Sequence, residues 1–139
     1  MPIVGHQITK IIGKRGVPER NIKISTNVEV KDVVKKEILI ADEKRSSLDF
    51  EFEFIVQYGE KAGGVNIIGT LFYTDKEVEL DKLAKQWKKD KKIDADIIVS
   101  ILNRAMELGY IESIPLAERL RLPIPLKIPK FSKENENKK

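Results

Sequence analysis

From Asp49 to Tyr58 the chain alternates, with Phe50, Phe52, Phe54, Val56 and Tyr58 on one side and Asp49, Glu51, Glu53 and Gln57 on the other. A period of two is that of a strand, and a strand this greasy on one side must have that side covered. Gly63 and Gly64 supply a turn. Val65 to Thr74 then reads as the returning strand of a hairpin, with Val65, Ile67, Leu71 and Tyr73 on one face and Ile68 and Phe72 on the opposite one. Upstream, Ile22, Ile24, Thr26, Val28 and Val30 alternate with polar residues and predict another strand, which Ile38 to Ile40 extends beyond an irregular stretch. Gln7 to Ile12 fits strand and helix spacing alike, and its type stays open.

After Thr74 the period changes. Leu80, Leu83, Ala84 and Trp87 stand at helical spacing, with acids at the start of the segment and lysines at its end, the charge order that complements a helix dipole. Asp94 is placed to cap a second helix whose apolar positions are Ile97, Ile98, Ile101, Leu102, Ala105 and Leu108. Gly109 is expected to mark its fraying end, and Pro115 to kink or restart it. The segment Leu122 to Pro129 alternates prolines with apolar residues, so it predicts an extended arm lying along the body. Ser132 to Lys139 is expected to be a disordered polar tail. Strands first and helices second predict an α+β domain over residues 1–131, an antiparallel four-stranded sheet with two helices packed on one face.

Composition narrows the chemistry. The chain has no cysteine and one histidine, which excludes thiolate catalysis, disulfides and cysteine-type zinc sites. No Walker loop or dinucleotide fingerprint is present, and the row Asp49, Glu51, Glu53 reads as the solvated side of a strand, not as an acid/base or metal set. The expectation is therefore a non-enzyme without cofactor or metal. No stretch approaches the ~20 apolar residues a spanning helix needs, which predicts a cytoplasmic protein with no membrane insertion.

The formal net charge of +4 hides a division, since residues 82–92 carry six lysines against one Asp, whereas residues 37–60 carry seven acids against Lys44 and Arg45. Basic residues raise a nucleic-acid reading. Gly13-Lys14-Arg15-Gly16 resembles the GXXG loop with which KH domains clamp a nucleic-acid backbone, and Lys88 and Lys89 belong to the lysine-rich helix end. The competing expectation is a Gly-flanked basic turn between strands.

Taken in order, the hairpin from Phe50 to Thr74, the Trp87-Lys88-Lys89 helix end, the helix from Asp94 and the arm from Leu120 to Pro129 resemble the SecB-like chaperones, especially their small archaeal relatives. The likeness spans about residues 7–131. It implies an ATP-independent holdase, a homo-oligomer (dimer or tetramer) that holds unfolded polypeptide in apolar grooves. Candidate contacts are then Ile68, Phe72, Trp87, Ile124, Leu126 and Phe131. The second reading is an RNA or DNA binder using Lys14, Arg15, Lys88 and Lys89.

Overall fold

The computed structural model describes residues 3–125. Four strands, β1 (Ile3–Arg15), β2 (Ile24–Ile40), β3 (Glu43–Tyr58) and β4 (Gly63–Tyr73), are followed by two helices, α1 (Glu77–Asp90) and α2 (Ala95–Arg119). The strands form one antiparallel sheet in the order β1-β4-β3-β2. β2, β3 and β4 are a meander of successive hairpins; β1 crosses over to lie against β4. The outer strands are thus β1 and β2, and among the described residues no further strand pairs with either. The fold is α+β, as the order of periodicities requires.

Most of the alternation in β3 reappears in burial: Leu48, Phe50, Phe52, Phe54, Val56 and Tyr58 are all 0% exposed beneath the helices, whereas Asp49, expected on the solvated side with Glu51 and Glu53, is itself buried and accepts a hydrogen bond from the buried Ser47 hydroxyl at 2.7 Å. Because paired residues share a face, β4 adds Val65, Ile67, Leu71 and Tyr73 to the same side. One half of the core joins Phe50 and Phe52 to Leu80, Leu83 and Trp87 of α1 and Ile101, Ala105 and Leu108 of α2. The other half joins Phe54, Val56 and Tyr58 to Ala117 and Leu122. With each buried side chain of this kind contributing about 1.5–3 kcal/mol, this shared face holds the helices to the sheet.

Several local expectations are corrected. The segment with ambiguous spacing, Gln7 to Ile12, lies within β1 and is strand throughout. The irregular stretch after Val30 belongs to β2, which runs unbroken to Ile40, and the register shifts between Val30 and Asp32, a bulge that explains why the alternation of the sequence is lost there. The turn between β3 and β4 is residues 59–62, not Gly63 and Gly64, which already pair with Tyr58 and Gln57. Gly59 takes φ 59°, and the Glu19 carboxylate accepts the N–H groups of Glu60 and Lys61, pinning this turn from outside.

Asp94 precedes α2, but its side chain makes no capping hydrogen bond. Gly109 ends nothing: it is buried in mid-helix, where an added Cβ would stand 2.2 Å from the Phe54 ring, so a glycine lets α2 lie directly on that ring. Nor does Pro115 restart the helix. It sits on an exposed face, where the carbonyl it leaves unpaired can meet water, and α2 continues to Arg119.

The end of α2 is closed by a Schellman motif. Arg121 adopts φ 57°, Leu122 N–H donates to Ala117 O at 2.9 Å, and Arg121 N–H donates to Glu118 O at 3.2 Å. Beyond it, Leu122 is buried against Gly63, and Tyr58 donates its hydroxyl to Pro123 O at 2.8 Å. The rest of the expected arm from residue 126, and the expected polar tail, lie outside the described residues.

Candidate functional site: a groove beside a free strand edge

The helices do not cover β2 to its rim. Where the α1–α2 connection passes over the strand, a groove of about 450 Å³ opens, floored by Val28 and Val30 and walled by Trp87, Ile93, Ile98 and Leu102. Its lining is mainly apolar, with Glu29, Lys91 and Lys92 at the mouth.

Local sequence explains each wall. Trp87 ends the apolar stripe of α1, and Lys91, in the left-handed conformation at φ 56°, turns the chain so that Ile93 points back into the core margin. Ile98 and Leu102 are one helical turn apart on α2 and only half-buried, because the stripe Ile97, Ile98, Ile101, Leu102 is wider than the sheet beneath it.

Trp87 is fixed rather than free. Its Nε1–H donates to Asp32 Oδ1 at 3.3 Å, and the Lys91 ammonium stands 5.4 Å from the ring centroid, a cation–π distance. Asp32 Oδ1 also accepts the Val33 N–H at 2.9 Å, so the bulge in β2 holds the carboxylate that orients the indole. A rigid aromatic wall beside an unpaired strand edge offers two things to an extended chain, main-chain hydrogen bonds and pockets for alternate side chains.

The other residues singled out in the sequence are not gathered around this groove. Ile68 and Phe72 are half-buried on the opposite face of the sheet, the one without helices. Ile124 is 45% exposed beyond the end of α2, whereas Leu126 and Phe131 lie outside the described residues. Lys88 and Lys89 are exposed at the end of α1, on the helical side, and Lys14 is exposed on the bare side of the sheet. The proposed nucleic-acid residues therefore stand on opposite layers.

The glycine-flanked basic segment is not a loop between helices. Gly13, Lys14 and Arg15 are the last residues of β1, and Gly16 follows, its N–H donating to Ala62 O at 2.8 Å. A Cβ at Gly16 would fall 2.0 Å from the Lys61 carbonyl, and one at Gly13 would fall 2.8 Å from Leu120. These glycines serve close packing. Arg15 is engaged as well, donating from Nη1 to the carbonyls of Leu120 and Arg121 at 2.8 and 2.9 Å, where it caps the C-terminal end of α2.

Some charged groups elsewhere are tied into pairs at the surface. Lys35 bridges Glu77 and Asp81 of α1; the hydrogen bonds from Lys35 and Ser46 lower the Glu77 pKa. Lys31 lies 3.3 Å from Glu53, which also accepts from Asn66 Nδ2 at 2.8 Å. Among the described residues no cluster of three or more His, Asp or Glu is arranged to hold a metal ion, and no helix is long and apolar enough to cross a membrane.

Sequence reasoning missed Val28, Val30, Ile93, Ile98 and Leu102 as a set. The available signal was the excess width of the α2 stripe over what one sheet face can bury. No family model, curated protein or solved structure matches this chain.

Proposed function

We propose that this protein is an ATP-independent, chaperone-like binder of extended polypeptide, working as a homo-oligomer and taking its client along the free edge of β2. One observation carries the reading: an apolar groove of about 450 Å³ lies directly beside the outer edge of β2, which pairs with no other strand among the described residues. A client strand adds to β2 through its backbone, and every second side chain enters the groove against Trp87, Ile98 and Leu102. Backbone pairing is indifferent to client sequence, and an apolar groove asks only for hydrophobic residues, which is what a holdase needs. Such work requires no catalytic group. The nucleic-acid alternative gains no support from the layout, since Arg15 is committed to the end of α2 and the remaining lysines face apart.

The test uses a labelled unstructured peptide with alternating apolar residues, read by anisotropy and by fluorescence of Trp87, the single tryptophan. Binding should survive raised salt. Methylating alternate backbone nitrogens of the peptide should abolish it, and Leu102→Asp should weaken it about 10- to 100-fold, the equivalent of one Leu side chain of apolar burial. Tight binding of single-stranded RNA with a steep salt dependence, and none of the peptide, would sink this reading.

A further inference from the structure

The face of the sheet turned away from the helices carries an ordered pattern of its own. In one row Lys10 of β1, Ile68 of β4 and Glu53 of β3 stand side by side; in the next stand Ile12, Asn66 and Ile55. Phe72 continues the apolar line along β4. On this face β1 carries Lys10 and Lys14 and β3 carries Glu51 and Glu53, with Ile68, Thr70 and Phe72 of β4 between the two columns. Ile12 is 44% exposed, and Lys10 makes no ion pair among the described residues.

We infer that this helix-free face is the interface for a second copy of the chain, packed sheet on sheet about a two-fold axis running along β4. Such an axis exchanges the strands on either side of β4. Lys10 of one copy then lies over Glu53 of the other, Ile12 over Ile55, and Ile68 and Phe72 over themselves.

Charge selects this axis. A two-fold across the strands sets β1 over β1 and lysine over lysine, whereas one shifted to lie between β4 and β3 sets Ile68 over Glu53. Only the axis on β4 brings opposite charges together and keeps the apolar residues in contact. Glu53 already accepts from Lys31 and Asn66, and a carboxylate has room for a further donor.

The size is consistent with a modest dimer. Three overlapping strands at ~4.8 Å spacing and about eleven residues at ~3.3 Å rise cover roughly 500 Å² per copy, or ~1,000 Å² in total, the lower bound for a specific interface. Two sheets stacked ~10 Å apart at about −30° place the side chains of both within reach. The inference rests on the homo-oligomer of the proposed function and names its interface; it does not depend on peptide binding, because the β2 groove opens on the other side of the sheet.

Sedimentation equilibrium over micromolar to millimolar protein should show a monomer–dimer equilibrium. Ile68→Lys should raise its dissociation constant tenfold or more with an unchanged circular dichroism spectrum, and Lys10→Glu should weaken it in the same direction. The absence of cysteine makes position-specific cross-linking clean: Thr70→Cys, on β4 in the same face, should give a covalent dimer with a short bis-maleimide, and Val4→Cys on the β1 edge should not. Peptide binding by the Ile68→Lys protein should persist, which separates the two proposals. A monomer at every concentration, a dimer indifferent to Ile68→Lys, or cross-linking through Val4→Cys instead of Thr70→Cys would each overturn the inference.

Discussion

Replacing Gly109 with alanine sets two effects of opposite sign against each other. In the interior of a helix alanine is favoured over glycine by about 1 kcal/mol, so propensity alone makes the substitution stabilising. The structure opposes this, because the new Cβ would lie 2.2, 2.4 and 2.6 Å from three atoms of the Phe54 ring. Ordinary carbon contacts are about 3.5–4.0 Å, so ring or helix must yield by more than ~1 Å. Phe54 is 0% exposed and packs edge-on against Tyr110 at a centroid distance of 5.3 Å, which leaves it nowhere to go. Overpacking costs about 1–3 kcal/mol, and a clash this close with a fully buried ring stands at the upper end, about 2–3 kcal/mol, which leaves Gly109→Ala net destabilising by roughly 1–2 kcal/mol after the propensity gain. In thermal unfolding that is a fall in Tm of roughly 3–8 °C for a chain of this length. The decisive control is the Phe54→Leu background, where the ring is gone and the same Gly109→Ala should become neutral or stabilising. A Gly109→Ala protein that melts higher than the parent would refute the packing argument outright.

Further outcomes follow from the chain's closing turn. Burial pushes the Tyr58 phenol up to about 12, so an ultraviolet titration should show Tyr58 ionising well above the ordinary phenol value near 10, with Tyr73 also raised by burial and by Asp75, and Tyr58→Phe should remove the Tyr58 step. The sign for stability is that of a raised folded pKa: the contribution is complete below pH ~10 and is lost as pH rises toward 12. At the end of α2, Arg121→Gly should stabilise by about 0.5–1 kcal/mol in urea unfolding by relieving a left-handed non-glycine residue, whereas Arg15→Ala should speed amide exchange at residues 120–122. Unchanged exchange in Arg15→Ala would show that the guanidinium does not hold that turn.

How much of this was legible in the sequence depended on whether the cause of a feature was local. β3 and β4 were plain because alternation and burial coincide along most of both strands, the buried Ser47 and Asp49 being the exceptions. The second half of β2 was not, since Lys31 to Glu37 alternate poorly and are drawn into the sheet by pairing with residues 46–51 across the hairpin. Gly109 looked like a helix end because glycine is a poor helix former; the reason for it is a ring far away in sequence, which no local rule contains. The Gly13 to Gly16 segment carried the composition of a phosphate-binding loop, yet its glycines answer to the Lys61 carbonyl and to Leu120. The groove was half visible: its residues were recognised as apolar, but which of them fill the core and which line an opening depends on where α2 sits relative to the rim of the sheet.

The strand order has a consequence for how the chain assembles as it is made. β1 is the first of the four strands to leave the ribosome and the last that can find its place, because its neighbour β4 is translated only after β2 and β3. The three-strand meander closes through short hairpins, while docking β1 requires shutting a long loop that joins Arg15 to Gly63. Until then the nascent β1 has both sides unpaired and the meander has an open flank, an interval in which the growing chain is most exposed to pairing with its neighbours on the same polysome.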